Sequence, residues 1–384
     1  MRKICVVISA RASFARIKTM LENIEQNENL SLEIILIGSS ILAKYGDISE
    51  SVQAKFKNVF KIHTSFEPGF ASAMAKSTGV SIIELSNYFS NSKPDIVITI
   101  ADRYETISTS IASSYQNICL VHIQGGETTG NIDEKVRHAN SKFADYHFVS
   151  NEIAKKRLIQ MGEEPSSIFN VGCPSIDIAN QLKKNKSLDF NPFEKYGGVG
   201  NQFDIKNNDY LVLLQHPVTN ENLDSEMQMS KSLEAIKKTD MYALIFWPNI
   251  DSGTSGTSKA IRKFRESNFS NKIHYFKNFS PEDFLKLLMN SSCLIGNSST
   301  GIRECSFLGI PVVNIGSRQN GRLRGSNVID VNHDINEIYQ GIIKCSKAKT
   351  NSQNLYGNGN SGFQISQILE KVTLKNDKKF IDIL

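Results

Sequence analysis

The sequence predicts an α/β protein built from two Rossmann-like domains, and three observations carry that expectation. Short apolar runs alternate with helical periodicity almost from end to end, the signature of βαβ units in parallel sheets buried on both faces. The 384 residues exceed one ordinary domain and suit two of roughly 150–200 residues. A polar, glycine-bearing stretch at 183–208 separates two such series.

In the first series the apolar runs 3–8, 31–37, 95–100, 118–123 and 146–149 predict strands, and the spacing predicts helices near 14–24, 79–89, 104–115, 133–143 and 152–161. The second series predicts strands at 210–214, 242–246, 273–276, 293–295, 311–315 and 328–330. These counts give one domain over 1–180 and another over 181–362. A final helical stretch, 363–372, follows the turn-rich segment 351–362 and is expected to pack back on the first domain. No internal repeat of about 20–50 residues is present.

Composition narrows the function classes. Hydrophobic residues are 40% and charged residues 22%, the balance of a globular chain able to bury real cores. The net charge of +5 is mild, and the lysine clusters near 183–186 and 375–379 lack interleaved aromatics. A nucleic-acid partner is therefore not expected. No stretch reaches the roughly 18–20 consecutive apolar residues of a membrane span, and residues 1–8 read as a buried strand rather than a leader. Cys5, Cys119, Cys173, Cys293, Cys305 and Cys345 include no C-x-x-C pair, so buried thiols are expected rather than disulfides or a metal site. The expected compartment is the cytoplasm.

In parallel α/β sheets ligands gather at the carboxyl ends of strands, and the pointed motifs of this chain fall at such places. His122-Ile123-Gln124-Gly125-Gly126-Glu127 closes a strand on two glycines, which let the backbone turn tightly beside a ligand. Asp133 and Glu134 open the next helix, four residues before Arg137 and His138 respectively. The carboxylates can serve as general base and acid, or the helix simply carries exposed ion pairs. Upstream, Asp102 ends another strand, where it either caps the following helix or joins the site.

The second half offers groups suited to phosphate. Ser298 and Ser299, in Ile295-Gly296-Asn297-Ser298-Ser299-Thr300-Gly301, start a helix that carries Arg303 and Glu304. Such a start is either an anion cradle or a plain N-cap. Arg318 and Arg322 sit in a glycine-bounded loop, as phosphate forks or as solvated surface. His216 follows the run 210–214, and Asn249 and Asp251 lie in Pro248-Asn249-Ile250-Asp251-Ser252-Gly253. His63, His147, His274 and His333 show no metal-ligand spacing. There is no Walker A loop, and Ser9-Ala10-Arg11-Ala12-Ser13 stands where a dinucleotide fingerprint would follow the first strand.

These segments, in order, resemble the hydrolysing UDP-N-acetylglucosamine 2-epimerases of sialic acid biosynthesis, bacterial and animal. The matching motifs are Ala101-Asp102-Arg103 (Gly-Asp-Arg-like), His-Ile-x-Gly-Gly-Glu at 122–127 and Asp-Glu-x-x-Arg-His at 133–138. They continue with Gln-His-Pro at 215–217, Pro-Asn-Ile-Asp-x-Gly at 248–253, Ile-Gly-Asn-Ser-Ser at 295–299 and Gly-x-Arg-Gln-x-Gly-Arg at 316–322. The resemblance implies a glycosyltransferase-B-like architecture with the site in an interdomain cleft. It implies a catalytic first domain using Asp102, Glu127, Asp133 and Arg137, with Arg11 beside them. It further implies a second domain that holds the UDP phosphates through His216, Ser298, Ser299 and Arg318, with Glu304 on the ribose and Asn249, Asp251 and Arg322 as further substrate-binding residues. A UDP-sugar is the implied substrate and UDP a product. No metal or nicotinamide is called for, and a homodimer or homotetramer is expected.

Two departures bear on the sugar. Ser13-Phe14 replaces an acidic residue and tyrosine, and Ser40 replaces a histidine after Gly38-Ser39. Both positions are expected near the sugar pocket, which leaves a 4-acetamido-6-deoxy sugar, as in legionaminic acid synthesis, open beside N-acetylglucosamine. A non-hydrolysing epimerase usually carries His-x-Glu-Ala-Gly where this chain has Gln124-Gly125-Gly126-Glu127. A UDP-sugar glycosyltransferase and a catalytically silent UDP-sugar-binding protein are the remaining readings.

Overall fold

The computed structural model describes residues 1–42, 47–64, 71–129, 132–248, 253–267, 272–375 and 377–382. The chain forms two compact units, one of 1–128, 132–177 and 356–384, the other of 129–131 and 178–355.

The first unit carries strands β1 (Arg2–Ile8), β2 (Leu30–Leu36), β3 (Val59–Lys61), β4 (Ile96–Ile100), β5 (Cys119–Ile123), β6 (Tyr146–Val149) and β7 (Ile168–Asn170). They pair in parallel in the order β3-β2-β1-β4-β5-β6-β7. The unbroken apolar runs follow from two covered faces. Ile4, Val6 and Ile8 enter one buried cluster while Cys5 and Val7 enter the other, as the period of 2 requires. Strands β3 and β7 escaped the sequence reading because each is a three-residue edge strand, only partly buried, with too little apolar alternation to register.

The C-terminal helix Ser361–Lys371 lies in this first unit. It packs on the helix Arg11–Glu25, and a Cβ on Gly362 would stand 2.8 Å from Met20 N. Its N-terminus is closed by Asp177, whose carboxylate accepts from Ser361 N at 2.8 Å, Gly362 N at 2.7 Å and Thr19 Oγ1 at 3.0 Å. A carboxylate there satisfies otherwise orphaned amides and meets the positive end of the helix dipole. Beyond that helix, Lys378 donates to the carbonyls of Ser141 and Ala144 at 2.9 and 2.6 Å. It also joins Lys142 and His147 around the buried carboxylate of Glu163.

The second unit carries β8 (Val199–Gly200), β9 (Tyr210–Leu214), β10 (Tyr242–Phe246), β11 (Ile273–Phe276), β12 (Cys293–Gly296), β13 (Val312–Ile315) and β14 (Val328–Val331). Their order is β14-β13-β12-β9-β10-β11-β8, parallel except for the edge pair β8–β11. The stretch read as a polar divider thus contributes a strand of its own. It also places a buried Phe193 and a half-buried Phe203 against the second unit, where Phe193 lies 4.8 Å from the His274 ring. His274 is tied to the carbonyls of Gly197 and Asn201.

All six cysteines are buried thiols, none in a disulfide. Among the described residues no helix is long and apolar enough to cross a membrane.

Candidate active site

In each sheet the strand order reverses direction once, between β1 and β4 and between β9 and β12. Such switch points are where open α/β sheets hold ligands, at the strands' carboxyl ends.

In the first unit Asp102 follows β4, Glu127 follows β5, and Asp133 and Arg137 lie on the helix Ile132–Phe143. Arg137 is 1% exposed. Its guanidinium donates to the Glu127 carbonyl at 2.7 Å and to the Asp102 carboxylate. One buried cation therefore binds two strand-end loops to the helix. Asp102 does not cap a helix: the next one starts at Thr106 with Glu105 at its N-cap. Glu134 and His138 do form the expected pair, at 3.4 Å. Asp133 stands half-buried in the first turn, one turn before Arg137. Arg11 is the first residue of the helix after β1, half-buried, and burial pulls its guanidinium below the usual range.

Sequence reasoning missed the residues that hold these loops. His122 is wholly buried, with Nε2 2.9 Å from the Ala101 carbonyl and Nδ1 3.0 Å from Ser141 Oγ. Burial pushes its imidazole down to about 3, so it is neutral. Gln124 takes a left-handed φ of 66°. Its amide accepts from Arg16 Nη1 at 2.9 Å and donates to Cys173 Sγ at 2.9 Å. Gly126, at φ 75°, must be glycine, because a Cβ would lie 2.3 Å from the Ala154 carbonyl.

Ser40 and Ser13 are both buried. Ser40 is 0% exposed, with its hydroxyl bonded to the carbonyls of Ile8 and Ile37. Ser13 is buried, and Phe14 packs on the core beside Phe56. Both departures from the family pattern thus lie in buried or packed positions of the first unit.

In the second unit one side chain, Asn297, organises the switch point. Its amide accepts from His216 N at 2.7 Å and donates to His216 O at 2.8 Å, fastening the loop after β9 to that after β12. Its own carbonyl accepts from Arg318 Nη1 at 3.2 Å and Gln319 Nε2 at 2.8 Å. Arg322 Nη1 in turn donates to Gln319 Oε1 at 2.9 Å. His216, Ser298, Arg318 and Arg322 are thus connected through Asn297 and Gln319.

The helix expected after Ser298 is interrupted. It runs Ser299–Ile302, breaks at Arg303 (ψ −73°) and restarts as Glu304–Leu308. A single turn has little macrodipole to offer an anion. Ser298 caps it by accepting from Thr300 N at 3.3 Å. Glu304 opens the second short helix half-buried, and its Oε2 has no hydrogen-bond partner among the described residues. Asn249 and Asp251 lie outside the described residues. Among the described residues no cluster of three or more His, Cys, Asp or Glu could hold a metal ion.

The fold is that of solved nucleotide-sugar epimerases. The Methanocaldococcus jannaschii UDP-GlcNAc 2-epimerase in complex with UDP-GlcNAc and UDP superposes with a TM-score of 0.79 at 20% identity, covering 96% of this chain and 99% of that one. Residues 22–370 match the family described as UDP-N-acetylglucosamine 2-epimerase, and the chain belongs to that family. Among curated relatives, the UDP-N,N'-diacetylbacillosamine 2-epimerase (hydrolyzing) of Legionella pneumophila is 33% identical over 97% of this chain and 97% of that protein. The GDP/UDP-N,N'-diacetylbacillosamine 2-epimerase (hydrolyzing) of Campylobacter jejuni is 33% identical over 89% and 87%.

Proposed function

We propose that this protein is a hydrolysing 2-epimerase that takes a UDP-2-acetamido sugar to the free 2-epimeric sugar and UDP, with UDP-N,N'-diacetylbacillosamine as the preferred substrate. The observation that carries the reaction is the buried Arg137, which gathers Asp102 and the Glu127 loop at the strand ends of one unit. The choice of sugar rests on the names of the two relatives at 33% identity.

The proton on carbon 2 is not acidic, so a placed base must remove it as the C1–O bond to UDP breaks. This elimination leaves a 2-acetamidoglucal. Water then adds its oxygen to carbon 1, and a proton returns to carbon 2 from the opposite face. Glu127 and Asp133 are assigned the proton transfers. Asp102, already bonded to Arg137, is assigned to orientation and to tuning their proton affinity. Arg11 is assigned to the substrate side of the first unit.

The second unit is assigned the nucleotide. His216, Ser298, Ser299, Arg318 and Arg322 offer hydroxyls, an imidazole and guanidinium forks to the departing diphosphate. Glu304, with an unpartnered carboxylate oxygen, is assigned to the ribose hydroxyls, and Asn249 and Asp251 to further substrate contacts. The test is acceptor-free UDP release from UDP-N,N'-diacetylbacillosamine and from UDP-N-acetylglucosamine side by side. The reading expects kcat/KM at least about tenfold higher for the diacetamido sugar. Equal or reversed values refute the choice of sugar, and no UDP release from either refutes the reaction.

A further inference from the structure

We infer that His122 is a positioning residue, a hub that sets the aim of three site-bearing segments at once; the inference rests on the roles given above to Asp102, Glu127 and Arg137. The imidazole touches each segment. On the β4 side, its Nε2 meets the carbonyl of Ala101, the residue before Asp102, at 2.9 Å. On the loop side, a Cβ on Gly125 would stand 2.9 Å from Nδ1 and 2.7 Å from Ser141 Oγ, so the loop to Glu127 is laid directly against the ring. On the helix side, Nδ1 meets Ser141 Oγ at 3.0 Å, one turn beyond Arg137, whose carbonyl lies 3.1 Å from the same hydroxyl.

The chemistry fixes the tautomer. A carbonyl can only accept, so Nε2 carries the hydrogen and Nδ1 is the acceptor, competing with the Arg137 carbonyl for the single hydroxyl hydrogen of Ser141.

What makes the contact at Ala101 matter is its backbone. Ala101 sits at φ 60°, where an L-residue with a Cβ is disfavoured and glycine is not. The related motif has glycine there, so this chain holds an alanine in a glycine conformation, 3% exposed, between Ile100 and Asp102. Two bonds oppose its relaxation: Ala101 N to the Ile123 carbonyl at 2.9 Å, and the His122 bond to its own carbonyl. Were Ala101 to leave the left-handed region, the Asp102 carboxylate would swing away from Arg137.

The experiment compares amides that reach different ring positions. His122→Gln places its NH2 near the Nε2 position and keeps a donor for Ala101. His122→Asn reaches only the Nδ1 position. The expected result is kcat within about threefold of the parent for His122→Gln and at least about tenfold lower for His122→Asn, with KM and UDP affinity within threefold in both. Adding Ala101→Gly to His122→Asn removes the left-handed penalty and should recover kcat about fivefold or more. Equal kcat for the two amide variants, or no recovery with Ala101→Gly, overturns the inference. Thermal unfolding provides a readout independent of activity. Ala101→Gly should raise the midpoint more in the His122→Asn background than in the parent, and restoring a folded chain there counts in favour. Additive shifts, or a chain that stays unfolded, count against. A parent chain without hydrolytic activity would refute the function proposed above while leaving this thermal comparison decisive for His122.

Discussion

Replacing Asp102 with asparagine removes the carboxylate charge that faces the guanidinium of Arg137, which is 1% exposed while the Asp102 side chain is 18% exposed. Breaking one side of a buried ion pair costs about 3–5 kcal/mol when both partners are dry. Asp102 keeps some contact with solvent, and asparagine retains one acceptor oxygen, so about 2–3 kcal/mol is the appropriate figure after discounting for screening. For a domain of about 150–250 residues that corresponds to roughly 4–12 °C in the unfolding midpoint. Differential scanning calorimetry of the parent, Asp102→Asn, Arg137→Met and the double variant measures it. The double variant should be less destabilised than the sum of the singles by at least about 1 kcal/mol. A midpoint for Asp102→Asn within 1 °C of the parent, or strict additivity, would refute the claim that this pair anchors the site.

Three further outcomes follow from the same geometry. Glu127→Gln should abolish turnover while UDP affinity stays within about threefold by calorimetry, since it removes a proton carrier and no phosphate contact; retained turnover removes Glu127 from the mechanism. Arg318→Ala should weaken UDP at least about tenfold, and unchanged affinity would place the nucleotide away from that loop. At Glu163, burial alone would raise the carboxyl, but hydrogen bonds from His147, Lys142 and Lys378 outweigh it and bring it down to about 2. That stabilisation is complete above about pH 4.5 and is lost as pH falls from there toward 2, so Glu163→Gln should flatten the acid limb of the stability curve; an unchanged limb contradicts the assignment.

The fold was legible because parallel strands covered on both faces become uninterrupted apolar runs, as in Tyr210–Leu214, and because polar residues crowd the strand ends. What stayed hidden depends on contacts far apart in sequence. Nothing local reveals that Asp102 bonds to Arg137 rather than capping a helix, or that Asn297 holds both ends of the second unit's switch point. The break at Arg303 was hidden because Ser299 to Leu308 reads as one helical stretch, and only the backbone shows ψ at −73° there. The place of Ser40 was hidden as well. Its hydroxyl bonds the carbonyls of Ile8 and Ile37 in the interior, the first a contact to the previous strand end that no local pattern announces. The His122 hub is visible in sequence only as one letter of a glycine-rich motif.

The most direct test of the proposed reaction is isotopic. The protein is incubated with UDP-N,N'-diacetylbacillosamine in water carrying both heavy oxygen and deuterium, without an acceptor, and the products are read by mass spectrometry. Elimination followed by hydration predicts free UDP and a released 2-epimeric sugar with one heavy oxygen, at carbon 1, and one deuterium, at carbon 2. A released sugar without deuterium, or an epimer still attached to UDP, would contradict it.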